Sequence, residues 1–97
     1  MEQEEEKRRD AILAVKPARK FLLGQKIVGD EMILRYYVVY GNDELGYIGS
    51  SEEFYAPKEE FFEVLFDTEI CNDLSGAIND GFNKARASFK ALGGTVR

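Results

Sequence analysis

Residues 31–49, EMILRYYVVYGNDELGYIG, contain the strongest strand signal in the chain. Positions 32–40 hold Met, Ile, Leu, three Tyr and two Val, with Arg35 as the only charge. β-Branched and aromatic residues favour extended backbone, and the Gly-Asn-Asp cluster that follows is typical of a tight hairpin turn. The stretch therefore predicts a long strand, a turn and a returning strand. Because both faces of the long strand are apolar, it is predicted to be central in a sheet.

Before this hairpin, residues 19–28 predict another strand, joined to the long one by a Gly29-Asp30 turn. The three strands form an antiparallel meander. Residues 2–15 predict a charged helix, because acidic residues precede basic ones at i,i+4 spacing. Pro17 ends that helix, since the residue before a proline is pushed out of helical backbone.

After the hairpin, the sequence predicts helices. Ser50 and Glu53 form an S-x-x-E capping box, and Pro57 with the acidic residues behind it favours a helix over 57–66. A strand is possible for residues 60–66, but the Pro-Lys-Glu-Glu entry favours the helix. Apolar residues at spacings of three or four from Ile70 onward predict a long C-terminal helix. The glycine pair at 93–94 is a natural stop for this helix, because glycine tolerates left-handed backbone.

The predicted fold class is α+β: a small three-stranded antiparallel meander, with an N-terminal charged helix and C-terminal helices packed on the sheet. Residues 1–16 are predicted to be a charged N-terminal helix or arm, and residues 17–97 a single α+β domain. The long helix is expected across one sheet face, leaving open what covers the face that carries Tyr37 and Val39. An uncovered apolar face on so small a chain predicts a homo-oligomer.

Composition excludes several functional classes. The 97 residues, 44% hydrophobic and 32% charged, are typical of one globular domain, and no apolar run is long enough to span a bilayer. The single cysteine, Cys71, predicts a reducing compartment, most simply the cytoplasm. The chain has no histidine, the commonest general base and transition-metal ligand. We therefore predict no enzyme activity, no metal and no cofactor.

Charge is distributed unevenly along the chain. The net charge is −5, but residues 43–73 hold ten acidic residues against Lys58 alone. Such a block predicts an acidic surface that attracts a basic partner, and it opposes direct nucleic-acid binding. We predict a small acidic non-catalytic protein-binding domain of inhibitor, immunity or adaptor type, which acts through an acidic and aromatic surface. The predicted partner-binding residues are Glu52, Glu53, Tyr55, Glu59, Glu60 and Glu63.

Two alternatives stay open at this point. The first is a small-ligand or nucleotide-binding module, since tyrosine rings can stack on a base and an arginine can hold a phosphate. Its site would use the tyrosine-rich hairpin, at Arg35, Tyr37, Tyr40 and Tyr47. The second is a nucleic-acid mimic, in which the acidic block would occupy the basic groove of a nucleic-acid enzyme.

Overall fold

The computed structural model describes the backbone of residues 2–56 and 60–96, and the side chains of residues 4–56 and 68–96. Within these residues, two helices and five strands follow one another. They are α1 (Glu2–Ala14), β1 (Pro17–Val28), β2 (Glu31–Asn42), β3 (Gly46–Ala56), β4 (Glu60–Asp67), α2 (Leu74–Ala91) and β5 (Thr95–Val96). The sheet is antiparallel in the order β4-β3-β2-β1-β5, which confirms the α+β class.

The sheet has four long strands, so the prediction of a three-stranded meander is wrong. Residues 60–67, predicted as part of a helix, instead form β4, which pairs with β3 from Ser50↔Asp67 to Tyr55↔Glu60. The capping-box residues Ser50 and Glu53 also lie inside β3. In the described part of the chain, a single helix, α2, follows β4, in place of the predicted C-terminal helices. The physical reason is that the aromatic and β-branched residues of this segment suit a pleated surface, and β3 offers them a strand edge.

The face of the sheet that carries Tyr37 and Val39 is covered by α2. The core on this face consists of buried residues from three strands and the helix, namely Leu23, Tyr37, Val39, Tyr47, Ala77 and Ala85. The buried positions of α2 are small apart from Phe89, which lets the helix approach the sheet closely. The sequence left open what covers the face of Tyr37 and Val39, and α2 is the element that covers it.

The helix α2 begins at Leu74, four residues later than the Ile70 start that the apolar spacing predicts, and it ends where the glycine pair predicts. Asp73 is its N-cap, and the Asp73 carboxylate accepts a hydrogen bond from Gly76 N at 2.5 Å. At the other end Gly93 has φ of 91°, and Gly94 N donates to Phe89 O at 3.0 Å. The predicted glycine stop is therefore confirmed.

The helix α1 contacts β2 and β3 and lies at the end of the sheet near the β2–β3 turn. Ile12 is fully buried, as are Val38 and Ile48 on the face opposite α2. Arg8 Nε donates to Leu45 O at 2.7 Å, which ties the helix to the turn. The charged N-terminal segment is thus docked through one apolar side chain and at least one charged anchor.

Candidate functional site

The helix α1 is too short to cover its side of the sheet. Its 13 residues span about 20 Å, whereas a 12-residue strand spans about 40 Å. Beyond the end of α1, the face opposite α2 presents a patch of apolar and aromatic side chains that we call the open face. It consists of Leu22, Ile27, Met32, Leu34, Tyr36 and Phe54, which share one side of β1, β2 and β3. Ile27 is 64% exposed, and the other five are half-buried.

An aromatic pair with a lysine above it lies within the open face. The rings of Tyr36 and Phe54 meet edge to face, with centroids 5.7 Å apart. Lys20 Nζ lies 4.3 Å from the Tyr36 centroid and 4.9 Å from the Phe54 centroid. Cation–π attraction holds this ammonium above the rings. Besides the apolar patch, this side of the sheet carries the exposed Gln25, the positive charge of Lys20 at its α1 end, and the nearly buried Glu52 in the row of Tyr36.

A buried ion pair lies on the α2 side of the same strands. Arg35 and Glu53 face each other across β2 and β3, and each is 1% exposed. Arg35 Nε donates to Glu53 Oε1 at 3.0 Å, Arg35 Nη2 donates to the same oxygen, and Arg35 Nη1 donates to Ser51 Oγ at 3.2 Å. The guanidinium lies 4.8 Å from the ring centroid of Phe89. These contacts engage both charged side chains, Arg35 and Glu53, within the fold.

The same ion pair has one accessible neighbour and one unpaired oxygen. Lys26 Nζ lies 3.4 Å from Glu53 Oε1, and the Lys26 side chain is 21% exposed. Glu53 Oε2 is buried and has no hydrogen-bond partner among the described residues. Of Arg35, Glu53 and Lys26, only Lys26 is therefore partly exposed to solvent.

A second polar cluster lies on the opposite side of β3. Glu52 Oε2 accepts hydrogen bonds from Tyr40 Oη at 2.5 Å and from Ser50 Oγ at 2.6 Å. Glu52 is 5% exposed. Successive residues of a strand point to opposite faces, so Glu52 and Glu53 are buried on different sides of the sheet.

The predicted partner-binding residues are not brought together on one described surface. Glu52 and Glu53 are inside the fold, and Tyr55 is half-buried. Glu59 lies outside the described residues, and the side chains of Glu60 and Glu63 in β4 are also outside them. Two of the ten carboxylates that suggested an acidic surface thus belong to internal hydrogen-bond clusters.

The residues of the predicted ligand site are also separated. Arg35 and Tyr37 are buried beneath α2, whereas Tyr40 lies on the other side of the sheet. Tyr47 is buried and donates to Asp43 Oδ1 at 2.7 Å, a hydrogen bond that raises the pKa of its phenol. These four side chains therefore do not line a common cleft.

Burial raises the pKa of Tyr37 above its ordinary value, with smaller contributions from nearby Cys71 and Asp80. The unfolded chain loses this proton near pH 10 while the folded chain retains it, so stability falls as pH rises above 10. Replacing Tyr37 by Phe removes the phenol, and with it this dependence of stability on pH. We expect the stability gap between wild type and Tyr37→Phe to narrow above pH 10, by at most about 1.4 kcal/mol per pH unit. Urea unfolding at pH 8 and pH 11 measures the gap. A gap of equal size at both values contradicts the prediction.

The open face was not predicted from the sequence, which left open the cover of the other face, that of Tyr37 and Val39, now seen to be covered by α2. A signal was available: the alternate residues Met32, Leu34 and Tyr36 form one apolar side of the long strand. Which side α2 would take depends on packing that the strand's own residues do not encode.

Among the described residues, no group of three or more cysteine or acidic side chains is placed to hold a metal ion. No helix in the described part of the chain has the length and apolar character needed to cross a membrane. A scan against models of protein families finds no match. A search of curated proteins and a search of solved structures find no similar chain either.

Proposed function

We propose that this chain is a non-catalytic protein-binding domain whose binding surface is the open face. The observation that carries the proposal is the apolar patch that α1 leaves uncovered, with Ile27 64% exposed within it. Contiguous apolar surface in a water-exposed position is a common mark of a protein interface. Half-buried aromatic rings such as Tyr36 and Phe54 supply large contact area at little entropic cost.

A non-catalytic role is supported by how the polar groups are used. Glu52 and Glu53 are engaged in internal hydrogen bonds, and the Tyr37 hydroxyl donates to Ala77 O at 2.6 Å. Catalytic acids and bases need to reach a substrate, usually in an enclosed pocket. The inhibitor, immunity and adaptor types predicted from the sequence are all compatible with binding through an apolar sheet face.

The charge around the open face is mixed, with Lys20 on the face and Asp30 and Glu31 exposed at the β1–β2 turn. A purely basic partner, as the sequence predicts, would have to be selected by carboxylates outside the described side chains. The nucleotide-binding alternative has less support, because its four residues lie on two sides of the sheet. The open face thus favours an apolar partner surface with charges of both signs.

Ile27 and Val28 offer a matched pair of variants for testing this proposal. They are neighbours in β1, they are 64% and 50% exposed, and they point to opposite faces. With the tagged full chain as bait in an extract of its own cells, we expect Ile27→Asp to reduce recovery of the bound protein about tenfold or more. Val28→Asp is expected to leave recovery within about twofold, because Val28 is not on the open face.

Both variants must unfold at the wild-type temperature for the comparison to count, which thermal denaturation establishes. If an untagged copy of the chain is recovered with the tagged bait, that copy counts as a bound protein. Equal recovery by the Ile27 and Val28 variants, or recovery of nothing above an untagged control, would refute binding through the open face.

A further inference from the structure

We infer that α1 is a displaceable cover, and that the sheet surface beneath it continues the open face as one longer docking surface. A partner protein reaches the covered part by displacing the helix. This inference rests on the proposed function, because it extends the surface through which the chain is proposed to bind. Two features support it: few side chains hold α1 in place, and the residues beneath the helix are apolar.

The helix α1 is attached to the rest of the chain by few of its described side chains. Ile12 is fully buried and Arg9 is half-buried, while the other described side chains of the helix are exposed. Arg8 Nε donates to Leu45 O at 2.7 Å, and Arg9 Nη1 donates to Thr68 O at 3.2 Å. By contrast, α2 buries four of its residues against the sheet. Because an element with few buried contacts opens at a lower free energy than the core, we expect α1 to leave the sheet while the rest stays folded.

The connection between α1 and the sheet lets the helix leave as a unit. The helix ends at Ala14 and β1 begins at Pro17, so Val15 and Lys16 alone join them. A helix of 13 residues is marginally stable by itself in water. The displaced segment therefore gains conformational entropy, which opposes docking.

The surface beneath α1 continues the open face along β2. Leu34, Tyr36 and Val38 alternate on one side of this strand, and the first two belong to the open face. Val38 is 2% exposed, and Ile48 on the same side of β3 is fully buried. The helix α1 contacts both of these strands. Displacing α1 therefore exposes Val38 and Ile48 and joins them to the open face, so a partner with a longer apolar stripe competes with Ile12 for this surface.

Partner binding and helix displacement are then coupled. If only the chains with α1 displaced bind along the full surface, the apparent Kd is the intrinsic Kd divided by the displaced fraction. A variant that raises this fraction tenfold lowers the apparent Kd about tenfold, until α1 is displaced in most chains. The helix thus acts as an intramolecular competitor of the partner.

Hydrogen exchange of the full chain, followed by mass spectrometry at several urea concentrations, measures the displacement of α1. We expect amides of Glu2–Ala14 to exchange at least about 100-fold faster than those of α2, with a weaker dependence on urea, because displacement exposes less surface than global unfolding. Ile12→Ala is expected to speed exchange along the whole of α1, by about 30-fold or until the helix is fully displaced. The control Leu13→Ala, at a side chain 41% exposed, is expected to change it at most about threefold. Arg8→Met, which removes one anchor, is expected to give an increase of about three- to tenfold.

Two exchange results would overturn the inference. Equal protection and equal urea dependence in α1 and α2 would place α1 in the cooperative core. Faster exchange confined to the first turn, with no effect of Ile12→Ala on the remainder, would show fraying of a helix that stays docked. Unchanged exchange in α2 and β2 establishes that each variant is folded.

The capture experiment with the tagged full chain tests the competition. At limiting bait we expect Ile12→Ala to raise recovery of the bound protein about threefold or more, and Leu13→Ala to leave it within about twofold. Unchanged or lower recovery with Ile12→Ala, while Ile27→Asp still abolishes it, would refute the cover and leave the proposed function intact. Equal recovery by the Ile27 and Val28 variants would refute the proposed function and the competition with it, whatever the exchange of α1 shows.

Discussion

Replacing Arg35 by Met is expected to lower the free energy of unfolding by about 3–5 kcal/mol, because the change leaves the Glu53 carboxylate buried without its main partner. Both side chains are 1% exposed, and Glu53 Oε2 already lacks a hydrogen-bond partner among the described residues. In the variant, Lys26 at 3.4 Å would be the only described cation near the carboxylate. For a chain of this size the loss corresponds to a fall in Tm of roughly 15 °C or more.

The design of this experiment separates a buried charge from lost packing. The double variant Arg35→Met with Glu53→Leu removes both charges, so we expect it to recover most of the lost stability. Lys26→Met is the matched control, since it removes the other cation near Glu53, a lysine whose side chain is 21% exposed, and leaves the Arg35 hydrogen bonds in place, so we expect a smaller loss than for Arg35→Met. Chemical denaturation gives all three values. A cost below about 1 kcal/mol for Arg35→Met would show that water reaches the pair in solution.

Gly81→Ala is expected to destabilise the chain by about 2–3 kcal/mol, although alanine is the better helix former by about 1 kcal/mol. A Cβ at Gly81 would overlap the Tyr37 hydroxyl and lie 2.8 Å from Thr68 Cγ2. Tyr37 cannot retreat, because its hydroxyl is held by Ala77 O and Gly49 closes the other side. The helix would have to move away from the sheet, which opens space in the core.

Gly76→Ala is the control, because it gives the same gain in helix propensity at another glycine of α2. The three atoms nearest to its Cβ would be side-chain atoms of Asp73 and Cys71, the nearest being the Asp73 carboxylate oxygen at 2.9 Å, the end of a side chain that needs to shift only slightly while it caps the helix. We expect a change within about 1 kcal/mol of wild type. Adding Tyr37→Phe to Gly81→Ala removes the overlapped hydroxyl and is expected to return part of the loss, measured by a double-mutant cycle. Two glycine variants of equal stability would contradict this account of the helix–sheet contact.

Local sequence signals are sufficient to predict α2 but not β4. In α2 the apolar spacing and the terminal glycines all indicate one structure, and the helix forms. In residues 57–66 the Pro-Lys-Glu-Glu entry favours a helix, while the phenylalanine-rich run that follows also suits a strand. The edge of β3 was available to pair with this run, and tertiary pairing overrode the local helix signal.

The ion pair of Arg35 and Glu53 also could not be predicted from local sequence signals. Arg35 is conspicuous in the sequence as the single charge of an apolar strand, but its partner is not. Glu53 is opposite Arg35 only in one register of β2 and β3, and a slip of one residue would exchange Glu53 for Glu52. The sequence therefore suggested two surface carboxylates where the structure has two internal ones.

The amino-acid sequence by itself determined the α+β class, the long central strand, the two hairpin turns around it and the end of the C-terminal helix. These depend on interactions within a few residues, such as side-chain alternation, glycine backbone freedom and helix periodicity. The tertiary structure alone decided that residues 60–67 add a strand, that α2 covers the Tyr37 face, and that α1 stops short of the open face. Those outcomes depend on contacts between segments distant in the chain, because strand register and helix placement are set by which surfaces pack together.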